Sequence, residues 1–154
     1  MIIIKKFLFI ATLVIFSLKC SLSYSADSGP SPERISKSNP TYADAKKLVK
    51  EKKFKDALPL FNQLEKDNKN MSNADFLNDY AFTLRNLKNF ERAEKLYLNA
   101  LKINPTHAGA NEYLGELYLQ TRRPEEAKKR LEVLKNCKCE EYGELLEKIQ
   151  KYKQ

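Results

Sequence analysis

The chain has 154 residues and a formal net charge of +8 at pH 7, and 31% of its residues are charged. Four glycines and no tryptophan argue against a β-rich or glycine-loop fold and favour an all-helical one. The sequence contains no glycine-rich phosphate loop, no nucleophile elbow and no metal-ligand spacing, and His107, the single histidine, is expected at the surface. We therefore predict a protein that is not an enzyme and needs no cofactor or metal.

Residues 1–25 predict a secretory signal peptide and hence export, most simply to a periplasm. A short basic start is followed by the mostly apolar stretch Phe7–Leu18 and by small residues suited to cleavage near residues 23–26. An uncleaved membrane anchor that faces the periplasm is the main alternative, although this stretch is shorter than the ~20 residues of a membrane span. Acylation of Cys20 is disfavoured because Lys19 stands where a small residue is needed.

Residues 26–39 predict a flexible linker, because they are rich in serine and proline and almost free of apolar side chains. Loss of the signal peptide with its three lysines would lower the net charge to +5. Much of the remaining excess lies in Lys46–Lys55, with the sequence KKLVKEKKFK. This run is either a solvated helix face or an electropositive end that attracts acidic partners or anionic lipid, and nucleic acid is a poor third candidate for an exported protein.

The segment Ala74–Pro105 predicts a helix hairpin, because apolar residues recur at helical spacing on both sides of a short turn. Pro105 then ends the second helix, since proline lacks a backbone N–H. The same pattern occurs upstream and downstream, and the small residue of the second helix recurs at intervals of 36 and 34 residues, at Ala57, Ala93 and Ala127. In the middle copy the pattern is carried by Leu77, Tyr80, Ala81, Leu84, Ala93, Tyr97 and Pro105.

This pattern resembles the tetratricopeptide repeat, a helix–turn–helix unit with a period of about 34 residues. The first copy is the weakest, because Lys69 stands in place of the usual proline and two extra residues occur nearby. The resemblance implies an all-α, right-handed solenoid of three helix hairpins, with an unrelated helical bundle as the alternative. The predicted parts are repeats at about residues 40–69, 74–107 and 108–139, and an amphipathic capping helix at about 140–153.

Several helix starts are also predicted. We expect Asn39 to cap the first helix, Ser72 to form a capping box with Asp75, and Thr106 to cap the helix that follows it. Pro124 is expected to open the last repeat helix.

Two cysteines, Cys137 and Cys139, stand just before the capping helix. In an oxidising compartment they are predicted to close a small disulfide that locks this corner. Free or intermolecularly bonded thiols, and a soft-metal or redox site, are the alternatives, although two thiolates without nearby histidines do not complete a zinc sphere. Small exported bacterial repeat proteins with such a cysteine pair are similar to this tail.

In the repeat family that this chain resembles, the first helix of each hairpin lines a concave groove, and the resemblance places partner binding there. In the middle repeat, Asn78, Phe82 and Arg85 face away from the core positions. Phe82 and Leu119 are then apolar residues with no core to enter, which indicates a contact surface, unless the curvature of the array partly buries them. The predicted groove consists of Tyr42, Lys46, Val49, Asn78, Phe82, Arg85, Glu112, Glu116 and Leu119.

The charge of this groove is expected to change from basic at Lys46 and Arg85 to acidic at Glu112 and Glu116, a gradient suited to orienting a peptide. Some family members clamp a C-terminal carboxylate with a set of lysine, asparagine and arginine side chains. That set is not reproduced here, with Tyr113 among the mismatches, so this specificity is not assigned.

We therefore expect an exported, non-catalytic interaction module that binds a partner peptide or helix in its concave groove. One alternative is a membrane-anchored structural subunit of an envelope complex, and a more distant one is a periplasmic thiol-redox or metal-binding protein. The expected partner is a protein or peptide, with no nucleic acid and no small-molecule substrate. Membrane contact is expected only if the N-terminal segment stays uncleaved.

Overall fold

A computed structural model of the chain describes residues 39–152, so the predicted signal peptide and most of the predicted linker lie outside the described residues. This part of the chain contains eight helices and no strand. The helices are α1 (Tyr42–Lys50), α2 (Phe54–Leu64), α3 (Asn68–Met71), α4 (Ala74–Asn86), α5 (Phe90–Ile103), α6 (Ala108–Gln120), α7 (Pro124–Leu134) and α8 (Glu140–Tyr152). Within residues 39–152, no helix combines the length and the apolar content that crossing a membrane would require.

The helices pack as consecutive hairpins. Helix α1 pairs with α2, α4 with α5, and α6 with α7, while contacts of α2 with α4 and of α5 with α6 join neighbouring hairpins. Helix α8 packs on both α6 and α7. The predicted all-α helix-hairpin solenoid with a C-terminal capping helix is therefore confirmed.

Small residues allow the two helices of each hairpin to approach closely. Ala57, Ala93 and Ala127, which revealed the repeat in the sequence, are all fully buried. Between the first two hairpins, the rings of Phe61 and Tyr80 stack with centroids 5.0 Å apart. Such ring pairs stabilise by about 0.5–1.5 kcal/mol beyond the burial of their apolar area.

An arginine also joins each pair of neighbouring hairpins. Arg92 binds the Glu65 carboxylate at 2.6 Å and lies over the ring of Tyr80. Between the second and third hairpins, Arg123 donates two hydrogen bonds to Glu94, at 2.9 and 2.6 Å. These partly exposed pairs fix the orientation of the hairpins more than they add to stability.

The first repeat departs from the others where the sequence has its extra residues. There the chain forms the short helix α3, which Asp67 caps by accepting a hydrogen bond from the backbone N–H of Lys69 at 2.9 Å. The added turn takes the place of the proline stop that ends the second helix of the middle repeat.

The predicted cap of the first helix is wrong. Thr41, not Asn39, caps α1, because the Thr41 hydroxyl accepts a hydrogen bond from the Asp44 N–H while the Asp44 carboxylate accepts one from the Thr41 N–H. This reciprocal capping box satisfies two backbone donors, which Asn39 alone would not do. Pro124 does open α7, as predicted.

Two further predicted caps are wrong by one residue. The Ser72 hydroxyl donates to the Asn68 carbonyl and so ends α3, and the Asn73 side chain caps α4 instead. Thr106 is held by the Asn104 side chain. The cap of α6 is His107, whose Nδ1 accepts a hydrogen bond from the Ala110 N–H at 3.1 Å.

Candidate functional site

The first helices of the three hairpins lie side by side, followed by the capping helix. Helix α1 contacts α4, α4 contacts α6, and α6 contacts α8, and we call these four helices the first-helix layer. All nine predicted groove residues lie on α1, α4 and α6.

A cleft of about 470 Å³ opens in this layer between α1 and α4, and we call it the α1–α4 cleft. It brings together three of the predicted groove residues, Lys46, Val49 and Phe82. Sequence analysis missed the other six lining residues, which are Lys50, Lys52, Phe54, Asp79, Asn86 and Tyr113. Of these, the two lysines belong to the basic run Lys46–Lys55, which is visible in the sequence. The rings of Phe54 and Tyr113 lie on α2 and α6, and the packing of neighbouring repeats, which spacing along the chain does not give, brings them next to α4.

Three aromatic rings form the apolar wall of the cleft. The ring centroid of Phe82 lies 5.6 Å from that of Phe54 and 4.6 Å from that of Tyr113. Behind them, the Arg85 guanidinium lies over Phe82 and Tyr113, at 5.3 and 5.4 Å from the ring centroids. Phe82 is thus half-buried in a wall that α2, α4 and α6 build together, rather than isolated on the surface.

Tyr42 does not line the cleft, but it holds α1 to α4 through Asp79, which does. Its hydroxyl donates a hydrogen bond of 2.6 Å to Asp79 Oδ2. Burial and this bond raise the pKa of Tyr42. Burial also raises the pKa of the Asp79 carboxyl, although the bond from Tyr42 and the charge of Lys46 oppose this shift. Tyr42, which was predicted to line the groove, therefore has its polar atom already engaged.

The rim of the cleft is basic. Lys46, Lys50 and Lys52 are exposed, and none of them forms an ion pair with another residue in the described part of the chain. Lys46 lies over the ring of Tyr42, with its Nζ atom 5.7 Å from the centroid.

The acidic end of the predicted groove is closed. Lys148, on α8, reaches across to α6, where its Nζ atom lies 3.3 Å from Glu112 Oε1 and pairs with Glu116. Arg85 pairs with Glu116 from the other side. Glu112 is 1% exposed and Arg85 is 6% exposed. The expected surface gradient from basic to acidic is therefore wrong, because these side chains are buried and contact one another inside the layer.

Burial and pairing shift the two carboxyl groups in opposite directions. Burial, a hydrogen bond with Glu144 and the charge of Glu116 raise the pKa of Glu112 to about 8. Burial alone would raise the pKa of Glu116 as well, but Arg85 and Lys148 outweigh it and hold that pKa below its usual value. Glu112 and Glu116 of α6 therefore connect this helix to α4, through Arg85, and to α8, through Lys148.

The remaining two groove residues are buried as well. Leu119 is 8% exposed and belongs to the core, so the expectation that it has no core to enter is wrong. The fourth helix of the layer extends the packed region beyond the third hairpin. Asn78 is 7% exposed, and its Oδ1 atom has no hydrogen-bond partner among the residues described.

Cys137 and Cys139 are joined by a disulfide between α7 and α8, with Cα atoms 5.2 Å apart. No group of three or more His, Cys, Asp or Glu side chains suited to a metal ion occurs within the described range. His107 is engaged on both ring nitrogens, since its Nε2 lies 2.9 Å from Asp75 Oδ1 while Nδ1 caps α6.

Comparison with known proteins extends these observations. Two family models described as tetratricopeptide repeats match the chain, one over residues 42–106 and the other over residues 89–149. Together they cover all three hairpins and most of α8. No match was found among curated proteins. The stacked hairpins, their spacing and these two matches agree, and the chain belongs to the tetratricopeptide repeat family.

Proposed function

We propose that the protein is an exported, non-catalytic module that binds a peptide or a helix of a partner protein at the α1–α4 cleft. The family supports the general function, because tetratricopeptide repeats are protein–protein interaction modules and generally act as scaffolds without catalysis. The observation that carries the specific site is the cleft itself, where an aromatic wall and unpaired lysines face the same opening.

The cleft has the size and chemistry of a binding site. Its volume lies within the ~300–1,000 Å³ that is usual for ligand-binding clefts, and such sites combine an apolar wall with a few polar groups. At the closed end of the first-helix layer the polar groups are not free to bind a ligand, because Glu112 and Glu116 already contact Lys148. Binding therefore concentrates at the α1–α4 end.

Export is a separate part of the proposal and depends on residues 1–25. Mass spectrometry of the N-terminus of the protein purified from its native cell tests it. A chain that begins near residues 23–26 supports export, and an intact Met1 favours the membrane-anchored alternative.

The binding site is tested with Phe82→Ala as bait in a pull-down from an envelope extract. Because Phe82 is the central ring of the wall, its removal is expected to abolish most partner capture. The matched control is Leu98→Ala on α5, which removes an apolar side chain, 39% exposed, away from the cleft. Circular dichroism is expected to show equal helicity for both variants. Undiminished capture by Phe82→Ala would refute the site.

A further inference from the structure

Positive charge on the first-helix layer is concentrated at the α1–α4 cleft. Lys46 and Lys50 lie one turn apart on α1 and so share a face, and Lys52 follows in the turn to α2. Nearby Lys53 is neutralised by Glu51, whose Oε2 atom lies 2.7 Å from its Nζ. None of the three rim lysines has a carboxylate at ion-pair distance among the described residues, and all three side chains are exposed.

The carboxylate inside the cleft offsets only part of the positive charge of this rim. Asp79 is the one acidic residue among the described residues that line the cleft, and its Oδ2 atom accepts a hydrogen bond from the Tyr42 hydroxyl. On α4 and α8 the cations have partners, since Arg85 and Lys148 both pair with Glu116 and Lys151 pairs with Glu147. A ligand that enters the cleft therefore meets a net positive charge, since three lysines and one carboxylate line it.

Beneath the rim lies a surface that favours an apolar side chain. The rings of Phe54, Phe82 and Tyr113 meet there, and Val49 of α1 lines the same cleft. A large aromatic or aliphatic side chain would bury its surface against these rings, and adjacent residues of the same peptide would then reach the lysines.

From this arrangement we infer the chemistry of the partner, an inference that rests on the proposed function. The occupant of the α1–α4 cleft is an acidic segment of a partner protein, in which Asp or Glu residues flank one large apolar side chain. Lys46, Lys50 and Lys52 attract the carboxylates, and the aromatic wall holds the apolar side chain. Basic segments are excluded, because three unpaired lysines lie at one opening, within reach of each other's charge at physiological salt.

The inference is tested by selecting peptides from a phage-displayed random library on the purified full chain. We expect the selected sequences to be enriched in Asp and Glu around one aromatic or large aliphatic position. The best peptide, labelled with a fluorophore, is then measured by fluorescence anisotropy, and its affinity is expected to fall steeply with added salt because the charges are exposed.

Two charge-matched triple variants identify the responsible lysines. The rim variant carries Lys46→Gln, Lys50→Gln and Lys52→Gln. The control variant carries Lys66→Gln, Lys69→Gln and Lys129→Gln, which removes three exposed lysines outside the cleft. The rim variant is expected to bind the acidic peptide about tenfold more weakly or worse, and the control variant to change affinity by less than about twofold.

Each other outcome has a defined meaning. Selection of neutral or basic peptides whose binding is lost in Phe82→Ala would overturn the acidic partner and leave the proposed function intact. Failure to select any peptide, together with unchanged partner capture by Phe82→Ala, would overturn both. Binding of phosphatidylglycerol vesicles through the rim lysines, without binding of acidic peptides, would overturn the inference in favour of a membrane surface.

Discussion

A basic residue occupies the left-handed backbone conformation at the turn of every hairpin. Lys52, Lys88 and Arg122 have φ of 58°, 66° and 61°. Each turn closes in the same way, as in the bond from the Arg123 N–H to the Tyr118 carbonyl that spans the end of α6. This is a Schellman motif, in which glycine is usual because it has no Cβ to crowd. A cation there interacts favourably with the C-terminal end of the preceding helix dipole.

We predict that Arg122→Gly stabilises the protein, because it relieves a left-handed conformation that costs roughly 1 kcal/mol for a residue with a Cβ. Part of this gain is offset by the greater freedom of glycine in the unfolded chain and by the lost charge. The net increase in the free energy of unfolding is expected to be about 0.5 kcal/mol, measured by urea denaturation. As a control, Lys129→Gly, at an exposed position inside α7, is expected to destabilise by about 1 kcal/mol, and equal effects of both substitutions would contradict the argument.

Single residues also show where sequence analysis loses accuracy. Around Ser72 and Thr106, several side chains that could cap a helix stand next to each other. The hydrogen bonds that choose between Ser72 and Asn73 depend on how the preceding short helix ends, and spacing along the chain carries no information about this. Pro124 could be predicted because proline at a first helical position has no competitor beside it.

Helix α8 behaves as the first helix of a fourth, unfinished repeat. Leu145 and Ile149 follow Asn111 and Gly115 by the same period of 34 residues, and all four are buried. A side chain at Gly115 would have its Cβ atom 2.6 Å from Leu145 Cδ2, so the glycine permits α8 to sit close to α6. The apolar stripe of α8 was predictable from the sequence alone.

The sequence did not predict which of the groove residues become buried when α8 packs on α6. Lys46, Val49 and Phe82 line the cleft because helical spacing placed them correctly on their helices. Glu112 and Leu119 were placed by the same spacing, yet both are buried. A helix that follows the third repeat extends the layer, and only the packed structure shows which side chains it covers.

The burial of Glu112 on α6, where it contacts Lys148 on α8, makes the stability of the fold depend on pH. Glu112 has a folded-state pKa of about 8, raised by burial, by Glu144 and by Glu116 against the charge of Lys148. The folded state therefore binds more protons than the unfolded state between the ordinary pKa of 4.5 and about 8. Stability from this group is complete at the acidic end of that window and is lost as pH rises through it. The pKa of Glu116 is lowered, so its contribution to stability is lost only as the pH falls below 4.5, outside the pH range of Glu112.

We predict that Glu112→Gln removes this dependence. The free energy of unfolding of the unmodified protein is expected to fall by roughly 1–3 kcal/mol relative to that of the variant between about pH 5 and pH 8. Chemical denaturation at a series of pH values measures this difference. The control Glu132→Gln, which removes an exposed carboxylate, is expected to follow the unmodified protein at every pH. Parallel curves for Glu112→Gln and the unmodified protein would show that Glu112 is ionised throughout.

Both ends of the array face water with polar side chains. Thr41 and Asp44 precede Leu77 and Tyr80 by 36 residues and occupy the same positions of their repeat. In the middle repeat these positions are fully buried, whereas in the first repeat they are exposed and form the capping box of α1. At the other end, α8 buries Leu145 against the third hairpin. A solenoid with an uncovered apolar end would tend to stack on another copy.

Opening the C-terminal end is therefore expected to cause association. Leu145→Asp puts a carboxylate where a fully buried leucine packs on Gly115, at a cost of about 3 kcal/mol or more, enough to lower the Tm by 10 °C or more. With α8 displaced, the apolar outer face of the third hairpin is free to stack, so sedimentation velocity should show species larger than a monomer that grow with concentration. Tyr152→Asp on the same helix, where the side chain is 43% exposed, should remain monomeric with a nearly unchanged Tm. If Leu145→Asp instead stays monomeric and melts like the unmodified protein, α8 is not what closes the array.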